Sequence, residues 1–360
     1  MRHLSVQTGQ MKDSNPTGIR ADTFMKQISA IWVGNPFFKD ALIERGWRVH
    51  WINPVVSDVL DWNQITAAAG FVPDSLIVAD KSLPPFVTGM ETFPCLTTFY
   101  AVDTHIHSWF PLYAQGFDSC MVSLKDHLPL FAGNRLSKDV LWWSPAYANP
   151  KDEPRPQDPQ KPSWDVIFVG TADPTVNPDR CMFLKAVAER IPGLHVERGD
   201  YRTLYPQAKI VLNHAASNDL NFRVFEALGC GACLVTPFVR HGLEDIFQNG
   251  EDLFIFDQND VDGLAKLLKA LLAAPVRREK VAAQGHATVH AGHYAHHRAT
   301  AFAERIENLI HSGAAATMIQ TRIQNARQIH SSWLRLLYLH HAETTEKQSL
   351  RALYLKAART

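Results

Sequence analysis

No sign of charge dominates this chain: 36 Lys and Arg are matched by 36 Asp and Glu, and no basic stripe stands out. Binding to a nucleic-acid backbone draws on clustered cations, so a nucleic-acid partner is disfavoured. There is also no apolar run near the ~18–20 residues that span a bilayer. The N-terminus carries Arg2 and Lys12 but not the apolar segment of a secretory signal. No integral membrane segment is therefore expected. Cysteine is scarce and odd in number, five in 360 residues, which fits a reducing cytoplasm better than a disulfide framework. Cys230 and Cys233 form a lone CxxC among small residues, where packing accounts for them better than zinc or redox chemistry. No repeat at a fixed period is evident, which argues against a solenoid. What remains is an ordinary globular composition, 46% hydrophobic and 20% charged, in a chain long enough for two cores.

Strand and helix patterns alternate along that chain. Ile28–Gly34, Trp47–Ile52, Ser75–Ala79, Cys95–Val102, Phe117–Ser123 and Val140–Trp143 read as strands, with helical segments at Phe37–Arg45, Asp61–Ala69 and Lys125–Phe131. Such alternation predicts a parallel α/β sheet. Residues 149–163 then place Pro150, Pro154, Pro156, Pro159 and Pro162 among charges, the composition of a semi-extended linker. A second alternation follows, with strands at Asp165–Val169, Leu194–Glu197, Ile210–Asn213, Cys233–Thr236 and Leu253–Phe256. The expected organisation is a polar tail (1–25), a first domain (26–148), the linker (149–163), a second domain (164–310) and a helical extension (311–360). The extension can cap the fold or form an oligomer contact, and the pattern does not choose.

Chemistry concentrates in Ile210–Pro237. A short buried strand, Ile210–Asn213, leads into a small polar loop in which Asn218 and Asp219 can act as helix N-caps. Val224, Phe225 and Leu228 recur at helical spacing until Gly229 and Gly231. The start of such a helix offers unpaired N–H groups and a positive dipole end to a phosphate. Arg223 sits in the first turn, where a cation opposes the dipole, so an anionic ligand explains it better than helix stability. Glu226, three residues on, can accept hydrogen bonds from two vicinal hydroxyls. Phosphate beside a vicinal diol describes a nucleoside diphosphate. A solvated Arg–Glu pair on a buried helix explains the pattern equally well.

The run Asn213…Asn221-x-Arg223-x-Phe225-Glu226-Ala227…Gly231 resembles the donor-site signature of glycosyltransferases with two Rossmann-like domains, the GT-B architecture. In particular it resembles the CgeB-like, spore-maturation-type branch. The likeness continues through Gly242–Phe247, Gly250-Glu251-Asp252 and His293-Tyr294…Arg298, and Trp143-Ser144-Pro145 matches the segment before the crossover between domains. The resemblance implies two parallel-sheet domains facing a cleft. It implies that Glu226 holds a donor ribose and that the helix start faces the diphosphate, with Gly170, Thr171, Asn213, Asn218, Asn221, Phe222 and Arg223 around the donor. The loop Arg198–Tyr201 is expected near the nucleotide base, and the stretch from His293 is expected to open a helix that packs back across the domains. Many retaining members carry a second Glu eight positions before the first; Asn218 occupies that position here. No cofactor is expected beyond a nucleotide-diphosphate sugar as co-substrate. The resemblance implies a hydroxyl acceptor on a glycan, lipid or protein.

Cys95–Val102 runs into Asp103-Thr104-His105-Ile106-His107. Ligands of open α/β sheets gather beyond the carboxyl ends of strands, so polar chemistry is expected here. In the glycosyltransferase reading Asp103 and His105 deprotonate or orient the acceptor hydroxyl, without a metal. The same residues resemble the strand-end His-x-His of metal-dependent hydrolases, which makes Asp103, His105 and His107 a rival site. A nucleotide-sugar epimerase of the same fold and a non-enzymatic nucleotide-sugar-binding module complete the alternatives.

Overall fold

The computed structural model describes residues 27–133, 135–158, 160 and 163–359. The tail expected over 1–25, and linker residues 159, 161 and 162, lie outside them. Two parallel sheets organise the rest. The first comprises β1 (Ser29–Gly34), β2 (Arg48–Ile52), β3 (Ser75–Ala79), β4 (Leu96–Ala101), β5 (Ser119–Val122) and β6 (Leu141–Trp143), in the order β2-β1-β3-β4-β5-β6. The second comprises β7 (Trp164–Val169), β8 (Leu194–Glu197), β9 (Ala208–Leu212), β10 (Leu234–Pro237) and β11 (Phe254–Phe256), in the order β8-β7-β9-β10-β11. Both sheets follow one plan. The order reverses beside the first strand of each, between β1 and β3 and between β7 and β9, and ligand crevices form at such switch points.

Burial on both faces explains the uniform apolar runs of the central strands, β3 and β4 being buried at every residue. Within β1 the side chains alternate: Ile31 and Val33 join one core, Ala30 and Trp32 another on the opposite face. The residues that complete these two cores come from the far end of the chain. On one face, Phe302, Ala303 and Ile306 of the helix Ala295–His311 pack with Trp32, Leu42 and Trp47. On the other, the extension contributes Leu334, Leu337, Tyr338, Leu350 and Tyr354 to the core around Val78 and Phe99. The extension thus caps the first domain. It is broken at Asn325 and again at 345–347, with a π-helical turn, His330–Leu334, between.

The chain crosses between the domains at two adjacent places. Ala148 pairs with Tyr294 as a parallel bridge, its N–H donating to His293 O at 2.9 Å and its carbonyl accepting from Ala295 N at 3.0 Å. The carboxyl ends of the sheets face each other across a cleft. Lys125, just past β5, reaches Asp245, past β10, at 2.7 Å, and the rings of His127 and His241 meet at 4.8 Å. Trp143 at the end of β6 lies against Gly242, where a Cβ would come within 2.5 Å of the indole. Among the described residues no helix is long and apolar enough to cross a membrane.

Candidate functional site

Arg223 sits at the second switch point. The helix Phe222–Gly229 begins directly after the loop that follows β9, with Asn221 as its N-cap and no side-chain capping bond. Neither Asn218 nor Asp219 caps it, contrary to expectation. Asn218 lies in a 3-10 turn, Ala216–Asn218, with φ of +60°, and its side chain reaches back to Arg240 N at 3.4 Å. With the N-terminal N–H groups left uncapped, the helix start is open to another acceptor. Arg223 folds back over the strand ends: Nε donates to Val169 O of β7 at 3.0 Å, and Nη1 to Asn213 Oδ1, past β9, at 2.9 Å. Gly170 makes room for it, since a Cβ there would meet Arg223 Nη2 at 3.0 Å and the Phe168 ring at 3.2 Å.

A second arginine joins it. Arg180, in the first turn of the helix Pro178–Arg190, donates from Nη1 to Thr171 O at 2.9 Å. The guanidiniums of Arg180 and Arg223 lie 5.6 and 5.2 Å from the ring centre of Phe168, a cation–π arrangement. Neither forms a salt bridge among the described residues, and Nε of Arg180 is buried without a partner. Their joint field is visible on buried His214. Its pKa falls to about 4, through burial first and then both arginines. The signal that marks Arg223 in the sequence, a cation in the first turn of a helix opening beyond a strand end, marks Arg180 as well.

Glu226 lies one turn along from Arg223. Burial raises its carboxyl to about 7, Asp152 adds to the rise, and Arg223 and Arg202 oppose it. Around it, Asp152, fully buried, accepts from Tyr201 Oη at 3.0 Å, Arg202 Nε at 2.7 Å and Asn149 N at 2.7 Å. The loop Arg198–Tyr201 after β8 therefore ends beside Glu226, and the linker's first turn is fastened to it through Asp152. The structure brings Gly170, Thr171, Asn213, Asn221, Arg223 and Glu226 together. Asn213 is fully buried and acts through Arg223, its own amide donating to Thr236 Oγ1 at 3.0 Å. Phe222 faces the first domain instead, with ring centres 6.1 Å from Phe37 and 5.2 Å from Tyr147.

Across the cleft, Asp103 and His105 follow β4. The Asp103 carboxylate accepts a short hydrogen bond from Ser82 Oγ. Asp219, expected as a cap, instead faces Asp103. Its carboxyl is raised to about 7, by burial first and by Asp103 second, while Arg223 opposes. His105 is half-buried, its Nδ1 has no partner, and burial lowers its pKa despite Asp103, so it is neutral near pH 7. His107 takes a different direction: its ring packs on Phe110 at 4.9 Å and on Trp109 at 5.8 Å. Among the described residues no group of three or more His, Cys, Asp or Glu is placed to hold a metal ion.

Comparison with known proteins bears on the fold. Residues 179–304 match a family described as "Glycosyl transferase-like". No match was found among curated proteins. Solved structures are similar at low identity. Sucrose-phosphate synthase from Thermosynechococcus elongatus aligns with a TM-score of 0.57 at 11% identity, over 79% of this chain and 100% of that one. Anabaena HepE in complex with UDP-glucose gives 0.54 at 11%, over 79% and 100%. The chain spans only 56% of TarM, with a TM-score of 0.47 at 10% identity over 65% of this chain. The protein has the GT-B architecture: two parallel-sheet α/β domains facing a cleft, a glycosyl transferase-like region in the second of them, and a helical C-terminal region.

Proposed function

We propose that the chain is a glycosyltransferase that moves a sugar from a nucleoside-diphosphate sugar to a hydroxyl acceptor, of the CgeB-like kind that its signature resembles. The observation that carries this reading is the pair of guanidiniums, Arg180 and Arg223, with no salt bridge among the described residues, at two helix starts beside the β7/β9 switch point, with Glu226 one turn away. The pair and the helix starts supply the charge a diphosphate needs. Glu226 accepts from the ribose hydroxyls, and the loop ending at Tyr201 borders the base. Departure of the nucleoside diphosphate places negative charge where the arginines already are, so they stabilise the transition state and not merely the bound donor. Asp103 takes the proton of the acceptor hydroxyl, and neutral His105 orients it.

The test is release of nucleoside diphosphate from a nucleotide sugar. Asp103→Asn is expected to retain donor binding and lose turnover at least ~100-fold. Full turnover in that variant would remove Asp103 from the reaction. Donor binding in the wild type without any release, with or without hydroxyl acceptors, would support a binding module instead.

A further inference from the structure

The mechanism above leaves one buried carboxylate unused. Asp80 follows β3, beside the switch point of the first sheet, and is 2% exposed. It forms no salt bridge among the described residues. A lone buried carboxylate is costly unless hydrogen bonds compensate it. Here they come from three backbone N–H groups: Ser82 N to Oδ1 at 2.7 Å, and Val102 N and Asp103 N to Oδ2 at 3.2 and 2.6 Å. One side chain thus ties the loop after β3 to the loop after β4. Ser82 is drawn into the left-handed region at φ +51°, where a side chain is disfavoured. Its hydroxyl donates to Asp103 Oδ2, while Asp103 Oδ1 has no partner among the described residues.

Strain at an exposed serine, held by a buried acid, needs a compensating use. Glycine would sit at φ +51° without cost, but it has no hydroxyl. We propose that Asp80 and Ser82 are positioning residues for acceptor activation. Asp80 fixes the backbone of both loops, and Ser82 occupies one oxygen of Asp103 so that the other is aimed at the acceptor hydroxyl. This rests on the reading of Asp103 as the group that takes the acceptor's proton. Both residues lie in the first domain, whereas the proposed donor site lies in the second. The role therefore belongs to turnover and not to nucleotide affinity.

The backbone supplies a test in which stability and activity separate. Ser82→Gly removes the hydroxyl and relieves the left-handed strain; Ser82→Thr keeps a hydroxyl and increases the strain. Ser82→Gly is expected to melt at or above the wild-type temperature yet release nucleoside diphosphate roughly 10- to 100-fold more slowly, with unchanged KM for the nucleotide sugar. Ser82→Thr is expected to melt lower and turn over faster than Ser82→Gly. Asp80→Asn turns an amide N–H toward at least one of the backbone donors, and should slow release at constant donor KM. Turnover that follows melting temperature across the three variants, or wild-type turnover in Ser82→Gly, overturns the positioning role while leaving the transferase reading intact. A wild type that binds nucleotide sugar but never releases diphosphate fails the transferase reading and, with it, this proposal.

Discussion

At the scale of single residues, the second-domain site is a balance between two cations and one protonatable acid. The pattern alone left Glu226 and Arg223 open between a ligand site and a solvated pair; the structure turns Arg223 onto Val169 O and Asn213 Oδ1. Glu226→Ala should weaken nucleotide-sugar binding about 10- to 100-fold, the worth of charged hydrogen bonds to two hydroxyls. Its titration gives a second check without any ligand. The folded carboxyl is raised to about 7 from an ordinary 4.5, so its favourable contribution is full below pH 4.5 and is lost as pH rises through 7. Glu226→Gln, neutral at every pH, should match wild-type melting below pH 4.5 and exceed it by roughly 2–4 °C above pH 7.5. Equal melting at high pH would mean that the carboxylate is not buried as described. Asn218 and Asp219 could each cap the helix by sequence, but Asn221 stands at that position. The neighbour of Asp219, Asp103, lies 116 positions away in sequence (219 − 103), and only the meeting of two domains brings them together.

At the scale of elements, the alternation of strands and helices was readable to within a residue or two for β3 and β8. A strand buried at every residue, as β3 is, announces itself by composition. The extension was harder. Its apolar positions indicated amphipathic helices, but periodicity says nothing about which surface covers them. The answer lies in Arg322, fully buried 2.9 Å from Asp118 and donating to Phe93 O, Cys95 O and Thr97 Oγ1. Removing one partner of a buried pair strands the other charge, at a cost of about 3–5 kcal/mol. Arg322→Ala should therefore lower the melting temperature steeply without altering donor affinity in whatever fraction stays folded. If that variant melts like the wild type, the extension is not an integral part of the first domain.

At the scale of the whole molecule, two sheets of one plan turn their carboxyl ends toward each other, joined where Ala148 meets Tyr294. The proline-rich stretch lies between β6 and β7. It did not show that the linker opens with a turn anchored by Asp152 to Tyr201 and Arg202, because that anchoring depends on residues some 50 positions on. Nor did it show that Arg180 and Arg223 come to share the Phe168 ring. The central claim is that this assembly of Arg180, Arg223 and Glu226 holds a nucleoside diphosphate. The direct measurement is the melting temperature of the wild type, Arg180→Ala and Arg223→Ala with UDP, GDP, dTDP and CDP in turn, each at a concentration well above micromolar. Ligands that bind only the folded state raise it. One of the four should raise the wild-type melting temperature by several degrees, with most of that rise lost in each arginine variant. No rise with any of them, or a rise undiminished by both substitutions, would contradict the donor site.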